Sequence, residues 1–244
     1  MKKIIMIVFA VLMVNTGFAQ VNKLSKKYQF ADLAGAIGSS RGSAAASYVY
    51  NWRLGKSKRL EAGFGARFTS SFGTKQEYTS AAPARLTRTS TTPFLIIFAG
   101  QKVENWDTLT VQRPLVNSLN FTVNFGYNFT TKFYGGFNID LIGFSFGRKT
   151  AAILTSNGIT RTEPAAKPTA FNVLLTGDHD YGTLNSEFFL KYKLSGRWAV
   201  RGVYQFLFTE YKTSSVKQTT ADGTVIDRFR SKQNNLGVGV SYHL

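Results

Sequence analysis

The chain has no cysteine, two histidines and five prolines, and 13 acidic residues stand against 30 basic ones. The lack of cysteine excludes disulfides and thiolate metal ligands, so stability must come from burial and hydrogen bonding. Chemistry that needs an imidazole base has to use His179 or His243. We predict no metal and no cofactor, because no His or acidic cluster has the spacing of a ligand set and no glycine-rich loop introduces a helix.

Long apolar runs are absent except near the start of the chain. The basic start MKK precedes an apolar run at residues 4–14, and the small residues Gly17 and Ala19 follow it. This run is shorter than the ~20 residues that a membrane-spanning helix needs. Its flanks are typical of a secretory signal peptide. We therefore expect a signal peptide at residues 1–19 and a single domain at residues 20–244.

Acidic residues are scarce, and the formal charge of +17 falls by two, to +15, when Lys2 and Lys3 leave with the signal peptide. In a cytosolic protein this balance would suggest nucleic acid. An exported protein instead meets lipid phosphates and surface polysaccharide. We predict outer-membrane lipid and lipopolysaccharide as partners, and no nucleic acid; alternatively, the charges serve only solubility.

The chain is rich in period-two alternation of apolar and polar residues. For example, Phe121, Val123 and Phe125 alternate with Thr122 and Asn124. The pattern predicts eight strands, and at ~10 residues each they are long enough to cross a bilayer when tilted. They lie at residues 29–39, 43–54, 60–72, 117–129, 133–146, 184–194, 198–209 and 236–244. The alternation loses phase near Ile142, which predicts a bulge.

The connections between these strands are of two kinds. Those at residues 55–59, 130–132 and 195–197 are short, whereas those at 74–115, 147–182 and 213–231 are long. All five prolines fall in the two longest connections, as expected if the predicted strands are hydrogen-bonded on both edges. Short turns on one side and long loops on the other are typical of bacterial outer-membrane barrels.

Alternation alone would also suit a soluble ligand barrel with its apolar face inside. Two further features favour an apolar face that points outward into lipid. The polar phase is rich in Gly, Ser, Asn and Thr, which suits the filled interior of a narrow barrel. Aromatic residues cluster beside the short turns, as in an interfacial girdle; they are Trp52, Tyr127, Phe129, Phe133, Tyr134, Tyr192 and Trp198.

On these patterns the chain resembles the small eight-stranded bacterial outer-membrane β-barrel families over roughly its whole mature length. The resemblance implies an all-β fold: a closed antiparallel up-and-down transmembrane barrel with short periplasmic turns and long extracellular loops. It also implies location in the bacterial outer membrane. The chain ends in VGVSYHL, which keeps the alternation and Tyr242 but has Leu244 where such families usually end in Phe.

With the apolar phase facing lipid, charged residues of the other phase face the lumen. We predict that they form a salt-bridge network that replaces an apolar core, because a lone buried charge is costly. An ion or proton path is the alternative. The predicted network consists of Arg53, Glu61, Arg67, Asp140, Glu187, Lys191 and Arg201, with Asp32 and Lys193 as further lumen charges.

The long loops carry the candidate binding residues. An apolar segment within residues 93–100 is predicted to dock a partner protein, as an extracellular hairpin with residues 108–111; the alternative is a plug over the barrel mouth. Its partner-binding candidates are Phe94, Leu95, Ile96, Ile97 and Phe98. Basic loop residues are candidates for lipid phosphates, namely Arg85, Arg88, Arg113, Arg148 and Lys149.

These features predict a non-enzymatic outer-membrane barrel with a filled lumen. Its loops would bind envelope lipid, a surface ligand or a partner protein of a larger secretion or uptake complex. An alternative is an outer-membrane hydrolase or lipid A-modifying enzyme that uses Asp178, His179 and Asp180, by analogy of fold alone. A soluble periplasmic lipid carrier is a third hypothesis, which the girdle and the turn asymmetry oppose.

Overall fold

The structure is a computed structural model that describes residues 25–92, 99–175 and 180–244. β-strands dominate these residues, and the strand pairings are antiparallel. The prediction of an all-β antiparallel fold is confirmed. The predicted signal peptide at residues 1–19 lies outside the described residues. Where the structure describes the chain, no helix has the length and apolar character needed to span a membrane.

The described residues contain more strands than the eight predicted. The strands are β1 (Lys27–Gly38), β2 (Arg41–Leu54), β3 (Leu60–Gly73), β4 (Lys75–Ser80), β5 (Thr108–Gln112), β6 (Leu115–Asn128), β7 (Phe133–Gly147), β8 (Thr150–Ser156), β9 (Ile159–Pro168), β10 (Phe171–Val173), β11 (Leu184–Lys193), β12 (Trp198–Lys212), β13 (Gln218–Thr219), β14 (Val225–Ile226) and β15 (Arg228–His243). A short helix, α1 (Ala84–Thr87), and a 3-10 turn (Val103–Asn105) lie between β4 and β5.

Eight of these strands pair in a closed cycle. The order is β1, β2, β3, β6, β7, β11, β12 and β15, and β15 returns to β1. We call this cycle the lower ring. Its members coincide with the eight alternating segments, although β15 begins well before the predicted start of the last segment. Because the cycle closes, the paired parts of these strands leave no free edge.

The ends of the lower ring differ as the sequence pattern indicates. Short turns at 55–59, 129–132 and 194–197 lie at one end, together with the chain terminus, where the Leu244 N–H donates to the Gln29 carbonyl at 3.0 Å. At the other end only the β1–β2 turn is short, closing after the Gly38–Arg41 pair. The predicted bulge near Ile142 is present, since the β6–β7 register shifts opposite Phe121 and Thr122.

A second cycle of strands lies at the end of the lower ring that is opposite the three short turns; we call this end the outer end. β4 follows β3, β5 leads into β6, and β8 follows β7, so three strands of the lower wall extend upward. β4, β5, β8 and β9 pair in series. The upper ends of β12 and β15 close the cycle, with Tyr211 opposite Pro168 and Phe229 opposite Ser80. We call this six-stranded cycle the upper ring.

The two rings have opposite polarity. In the lower ring the inward phase is polar and buried, as at Arg67 and Asp140, whereas the outward phase is apolar and exposed, with Val238 75% exposed. In the upper ring the inward phase is apolar, and the outward phase is largely polar, as at Thr110 and Thr162. Its core consists of Tyr78, Leu109, Val111, Val116, Ala152, Leu154, Ala166, Tyr211, Val216 and Phe229.

The expectation that all prolines lie between strands is wrong for two of them. Pro164 and Pro168 belong to β9. The β8–β9 register shifts between Thr150 and Ala152, so Pro164 lies at an irregularity where no regular ladder hydrogen bond is required of it. Pro168 ends the strand, a position where proline is also tolerated.

Two further sequence predictions are wrong. Tyr134 does not belong to the girdle, because it points inward and is 4% exposed, whereas Tyr127, Phe129, Tyr192 and Trp198 are exposed on the outside. A hairpin between the 93–100 segment and residues 108–111 is excluded, because β5 already pairs with β4 on one edge and β8 on the other.

Candidate functional site

The interior of the lower ring contains a buried ion network whose upper part is centred on Arg67. The Arg67 guanidinium donates through Nε to Asp140 Oδ1 at 3.0 Å and lies 3.4 Å from Glu187 Oε2. Arg67 belongs to β3, Asp140 to β7 and Glu187 to β11. Asn120 Nδ2 and the Asn185 N–H donate to the other Asp140 oxygen at 2.6 and 2.9 Å. The carboxylate is therefore satisfied on both oxygens.

Arg201 links this group to the next one below it. Its Nη2 lies 2.6 Å from Glu187 Oε2, and its Nη1 pairs with Asp32. Lys191 Nζ lies 3.0 Å from the same aspartate and 3.4 Å from the centre of the Phe30 ring. Lys191 is on β11 and Asp32 on β1, and β12 and β15 separate these strands in the ring. The pair therefore crosses the interior.

A separate group occupies the end of the interior next to the short turns. Arg53 Nε donates to Glu61 Oε1 at 3.0 Å, and Asn128 Nδ2 donates to the same oxygen at 2.6 Å. The Tyr28 hydroxyl donates to the other Glu61 oxygen. Glu61 has no solvent-exposed area and Arg53 is 7% exposed. This end is thus closed by a satisfied ion pair and an aromatic side chain.

The structure buries all seven residues of the predicted network, together with Asp32, in two groups: the Arg53–Glu61 pair, and a connected set formed by Arg67, Asp140, Glu187, Arg201, Asp32 and Lys191. Together they contain four acids and four bases. Lys193 is only partly buried and forms no ion pair with the described residues. A balanced, hydrogen-bonded network limits the desolvation penalty that buried charges would otherwise carry. Its contacts span β1, β2, β3, β7, β11 and β12 and so occupy the interior from several sides.

The sequence predicted that neutral polar residues fill the interior, but it did not predict which of them bind the buried charges. Asn120, Asn138 and Asn185 complete the hydrogen bonds of the carboxylates and of Arg67. Inward-facing Phe30 and Phe189 pack beside Lys191, and the Phe189 ring centre is 5.1 Å from its Nζ. The adjacent pair Phe188-Phe189 was a usable signal, because neighbouring residues of a strand point to opposite faces.

Above the ion network the interior becomes progressively less polar. Gln205 Oε1 accepts hydrogen bonds from Ser43 Oγ at 2.7 Å and from Asn235 Nδ2 at 2.8 Å, and so joins β12, β2 and β15. Leu207 follows on β12 with no exposed area, and Tyr211 begins the apolar core of the upper ring. The polar interior is therefore topped by a packed apolar layer.

Glu163 ties a loop to the inside of the upper ring. Its carboxylate is fully buried and accepts backbone N–H groups of Ser215 at 2.7 Å, Val216 at 3.1 Å and Ser214 at 3.0 Å. Burial would raise the pKa of this carboxyl. These donors, with that of Ala165, oppose burial and hold the pKa below its ordinary value.

Three of the five lipid-phosphate candidates lie where lower-ring strands pass into upper-ring strands. Arg113 precedes β6, and Arg148 and Lys149 follow β7. All three are exposed. Arg148 Nη1 donates to the Arg113 carbonyl at 3.1 Å. This hydrogen bond links the β5–β6 and β7–β8 connections, which we call the joints of the wall. They stand directly above the outward apolar residues Phe144 and Phe146, which are both 52% exposed.

The other two phosphate candidates are engaged within the upper loops. Arg85 pairs with Asp222, and its Nη2 donates to Thr224 Oγ1 at 2.9 Å. Arg88 Nη1 donates to the Ala99 carbonyl at 3.3 Å. These contacts fasten the α1 segment to neighbouring loops, and they lie beyond the joints of the wall rather than beside its apolar band.

The partner-docking candidates Phe94, Leu95, Ile96, Ile97 and Phe98 lie outside the described residues, as do Asp178 and His179. Asp180 is described and 9% exposed, and its Oδ1 accepts the Leu175 N–H at 2.8 Å. His243 lies at the opposite end of the wall, with its ring stacked 5.8 Å from Tyr28. The described residues contain no group of three or more His, Asp or Glu arranged to hold a metal ion.

The geometry defines an antiparallel β-wall with an ionic interior.

No family model and no curated protein matches the chain. Solved structures that match include Neisserial surface protein A (11% identity, 89% of this chain, 97% of that one, TM-score 0.36). The attachment invasion locus protein Ail of Yersinia pestis matches at 7% identity over 91% of this chain and all of that one (100%), with a TM-score of 0.36. A major outer membrane protein from Thermus thermophilus matches at 10% identity over 90% of this chain and 100% of that one, with a TM-score of 0.34.

Proposed function

We propose that this chain is a non-enzymatic integral protein of the bacterial outer membrane. In this proposal the lower ring is the eight-stranded transmembrane barrel, and the upper ring stands on its extracellular end. The three short turns then face the periplasm. The loops of the upper ring bind envelope lipid, a surface ligand or a partner protein of a larger complex.

The observation that carries the proposal is the reversal of polarity along one continuous wall. β12 and β15 each belong to both rings. From the lower ring to the upper ring, the outward-facing side chains change from apolar to polar, and the interior changes from ionic to apolar. A wall in water would bury its apolar side throughout. The reversal is expected where the outside medium changes from hydrocarbon to water.

A filled interior supports a role other than conduction. The buried ion network occupies the lower ring, and the apolar core lies across its outer end. An eight-stranded barrel is also just wide enough for side chains to fill it. The barrel therefore serves as a rigid support that presents the upper ring at the cell surface.

Membrane fractionation followed by gel electrophoresis of unheated and heated samples tests this proposal. We expect the chain in the outer-membrane fraction and a band that shifts on heating, because a closed barrel resists detergent until heat opens it. The purified chain should give no stepwise current in planar lipid bilayers. A soluble periplasmic band, or reproducible channel steps, would contradict the proposal.

A further inference from the structure

The wall has a notch where the two rings meet. β15 pairs with β1 up to Leu236 opposite Ile37, and with β4 from Arg230 opposite Thr79. Residues 231–235 consequently have no strand partner on that edge, above the short β1–β2 turn. A cavity of about 430 Å³ fills this gap between the turn, β4 and β15.

The notch is basic and hydrogen-bonding. Arg41, Lys75 and Lys232 line it, against one acid, Glu77. Arg41 Nη1 donates to Ser231 Oγ at 2.6 Å, which orients the guanidinium at the base of the notch. Three cations around one small cavity favour an anion with several oxygen atoms.

A buried acceptor also lines the notch. Gln233 is 6% exposed, and its Nε2 donates to Thr209 Oγ1 at 3.3 Å. Within the described part of the chain its Oε1 accepts no hydrogen bond. A buried acceptor without a donor is costly, so a ligand hydroxyl at this point would be favourable.

The position of the notch fits a lipid headgroup. Ile37 and Leu236, directly below it, are 75% and 68% exposed. Lys232 lies opposite Phe208, with its Nζ 5.7 Å from the ring centre, so its charge lies beside apolar surface. If the lower ring spans the membrane as proposed, the cations lie at the level of the outer headgroups.

We propose that the notch binds the phosphate of an outer-leaflet lipid with a hydroxylated headgroup. Arg41, Lys75 and Lys232 hold the phosphate through charge-assisted hydrogen bonds, and a headgroup hydroxyl donates to Gln233 Oε1. The acyl chains descend over Ile37 and Leu236. This inference rests on the proposed function, because it needs the lower ring to be in the membrane.

Titration of the refolded full chain in zwitterionic detergent with short-chain phosphatidylglycerol tests the notch. The double variant K75E/K232E should bind at least about tenfold more weakly, since each charged hydrogen bond is worth more than about 1.4 kcal/mol. The neutral variant K75Q/K232Q should show a smaller loss in the same direction. The matched control R161E/K167E makes the same change of charge at two exposed basic residues of β9, away from the notch, and should retain nearly the native affinity. Q233L should weaken phosphatidylglycerol and leave phosphatidic acid, which lacks the glycerol hydroxyls, unchanged.

Equal losses in K75E/K232E and R161E/K167E would indicate diffuse charge attraction and overturn the notch site. Inorganic phosphate that binds as tightly as phosphatidylglycerol would overturn the lipid as the ligand. Flotation with phosphatidylcholine vesicles separates the two levels of the proposal. A chain that floats but does not prefer phosphatidylglycerol contradicts only the notch, whereas a chain that does not insert contradicts the proposed function as well.

Discussion

Arg67 shows at the scale of a single residue how the interior is held together. It is among the largest fully buried side chains of the described residues, at 1% exposure, and it donates to Asp140, the Asn138 side chain and the Asn185 carbonyl. The guanidinium presents five donors in a fixed plane, which suits acceptors placed on different strands. One residue thereby connects three strands, β3, β7 and β11.

Replacing Arg67 with alanine should strongly destabilise the protein. The substitution leaves Asp140 without its ion-pair partner and removes one of the two cations near Glu187, and breaking a buried pair costs about 3–5 kcal/mol. Urea unfolding of the protein in lipid vesicles measures the change. R161A, at an exposed position of β9, is the control and should change the free energy of unfolding by less than about 0.5 kcal/mol. Equal effects of the two substitutions would argue against a structural network.

Glu163 should make the loop at residues 213–217 sensitive to acid. Its pKa is lowered in the folded state, so its stabilising contribution is complete above the unfolded value of about 4.3 and is lost as the pH falls through the folded pKa. Hydrogen exchange of the Ser215 and Val216 amides should therefore become less protected, relative to the rest of the upper ring, as the medium is acidified below that value.

In E163Q the same amides should be less protected at neutral pH, and their protection should no longer follow the pH. A native-like acid dependence in E163Q would show that another group controls the loop. Ser231 and Arg230, on β15, provide amides that serve as an internal reference in both proteins, because the backbone N–H groups that donate to Glu163 belong to Ala165 and to the loop at residues 214–216.

At the scale of the strand, alternation gives each face its own environment, and β5 shows this in the upper ring. Leu109 has no exposed area, whereas its neighbour Thr110 points outward. L109D should unfold the upper ring, because it buries an unpaired charge. T110D should leave it folded. Protease digestion of the upper loops, alongside the heat shift of the barrel band, separates loss of the upper ring from loss of the whole fold.

The barrel band should persist in L109D, since the lower ring is stabilised by its own pairings and ion network. Loss of the band in L109D but not in T110D would mean that the two rings fold as one unit, and it would contradict the view of the upper ring as a separately packed layer. Protease resistance of the loops in L109D would contradict the assignment of Leu109 to a core.

The outward face of β15 should tolerate charge according to depth. Val238 lies in the middle of the apolar band, whereas Asn234 lies near its upper limit beside Lys232. V238R should lower the free energy of unfolding in vesicles by about 2–4 kcal/mol, and N234R by about 0–1 kcal/mol. Equal costs at the two positions, or no cost at Val238, would contradict a hydrocarbon environment around this strand.

The sequence predicted the strands of the lower ring better than those of the upper ring, for a physical reason. A segment such as residues 117–129 alternates strictly, because its inward residues fill a polar interior whereas its outward residues are apolar and exposed. β4, β5, β8 and β9 carry mostly polar residues on their outward faces, so Thr and Lys positions there resemble loop residues. Pro164 in β9 reinforced that reading. β8 and β9 form a local hairpin, but the pairings that close the upper ring, β4 with β15 and β9 with β12, join partners far along the chain.

The ion network was predictable in its members but not in its pairs. Inward charges such as Arg67 and Asp140 follow from strand phase, because each lies in the polar series. Which charges meet depends on the register and shear of the closed ring, and contacts such as Lys191 with Asp32 cross it. The notch was not predictable from the sequence. It arises because the β1–β2 hairpin ends at a lower level than β4 and β15, and the sequence does not show where these strands stop pairing.

At the scale of the whole molecule, the protein consists of one wall whose two rings have opposite polarity. The lower ring buries ions and exposes apolar residues, whereas the upper ring buries apolar residues and exposes polar ones. Two strands, β12 and β15, carry both patterns. This arrangement is stable only if a nonpolar medium surrounds the lower ring, and the central claim is therefore about position in a membrane.

Single-cysteine labelling of intact cells tests that claim most directly, and the chain suits it because it contains no cysteine. The positions are Thr162 on the upper ring, Val238 on the lower ring and Lys56 in a short turn, each exposed in the structure. With a membrane-impermeant maleimide, we expect labelling of T162C in intact cells, of K56C only after the outer membrane is opened, and of V238C in neither condition. Rapid labelling of V238C in the folded protein would contradict the account, because it would place the apolar face of the lower ring in water.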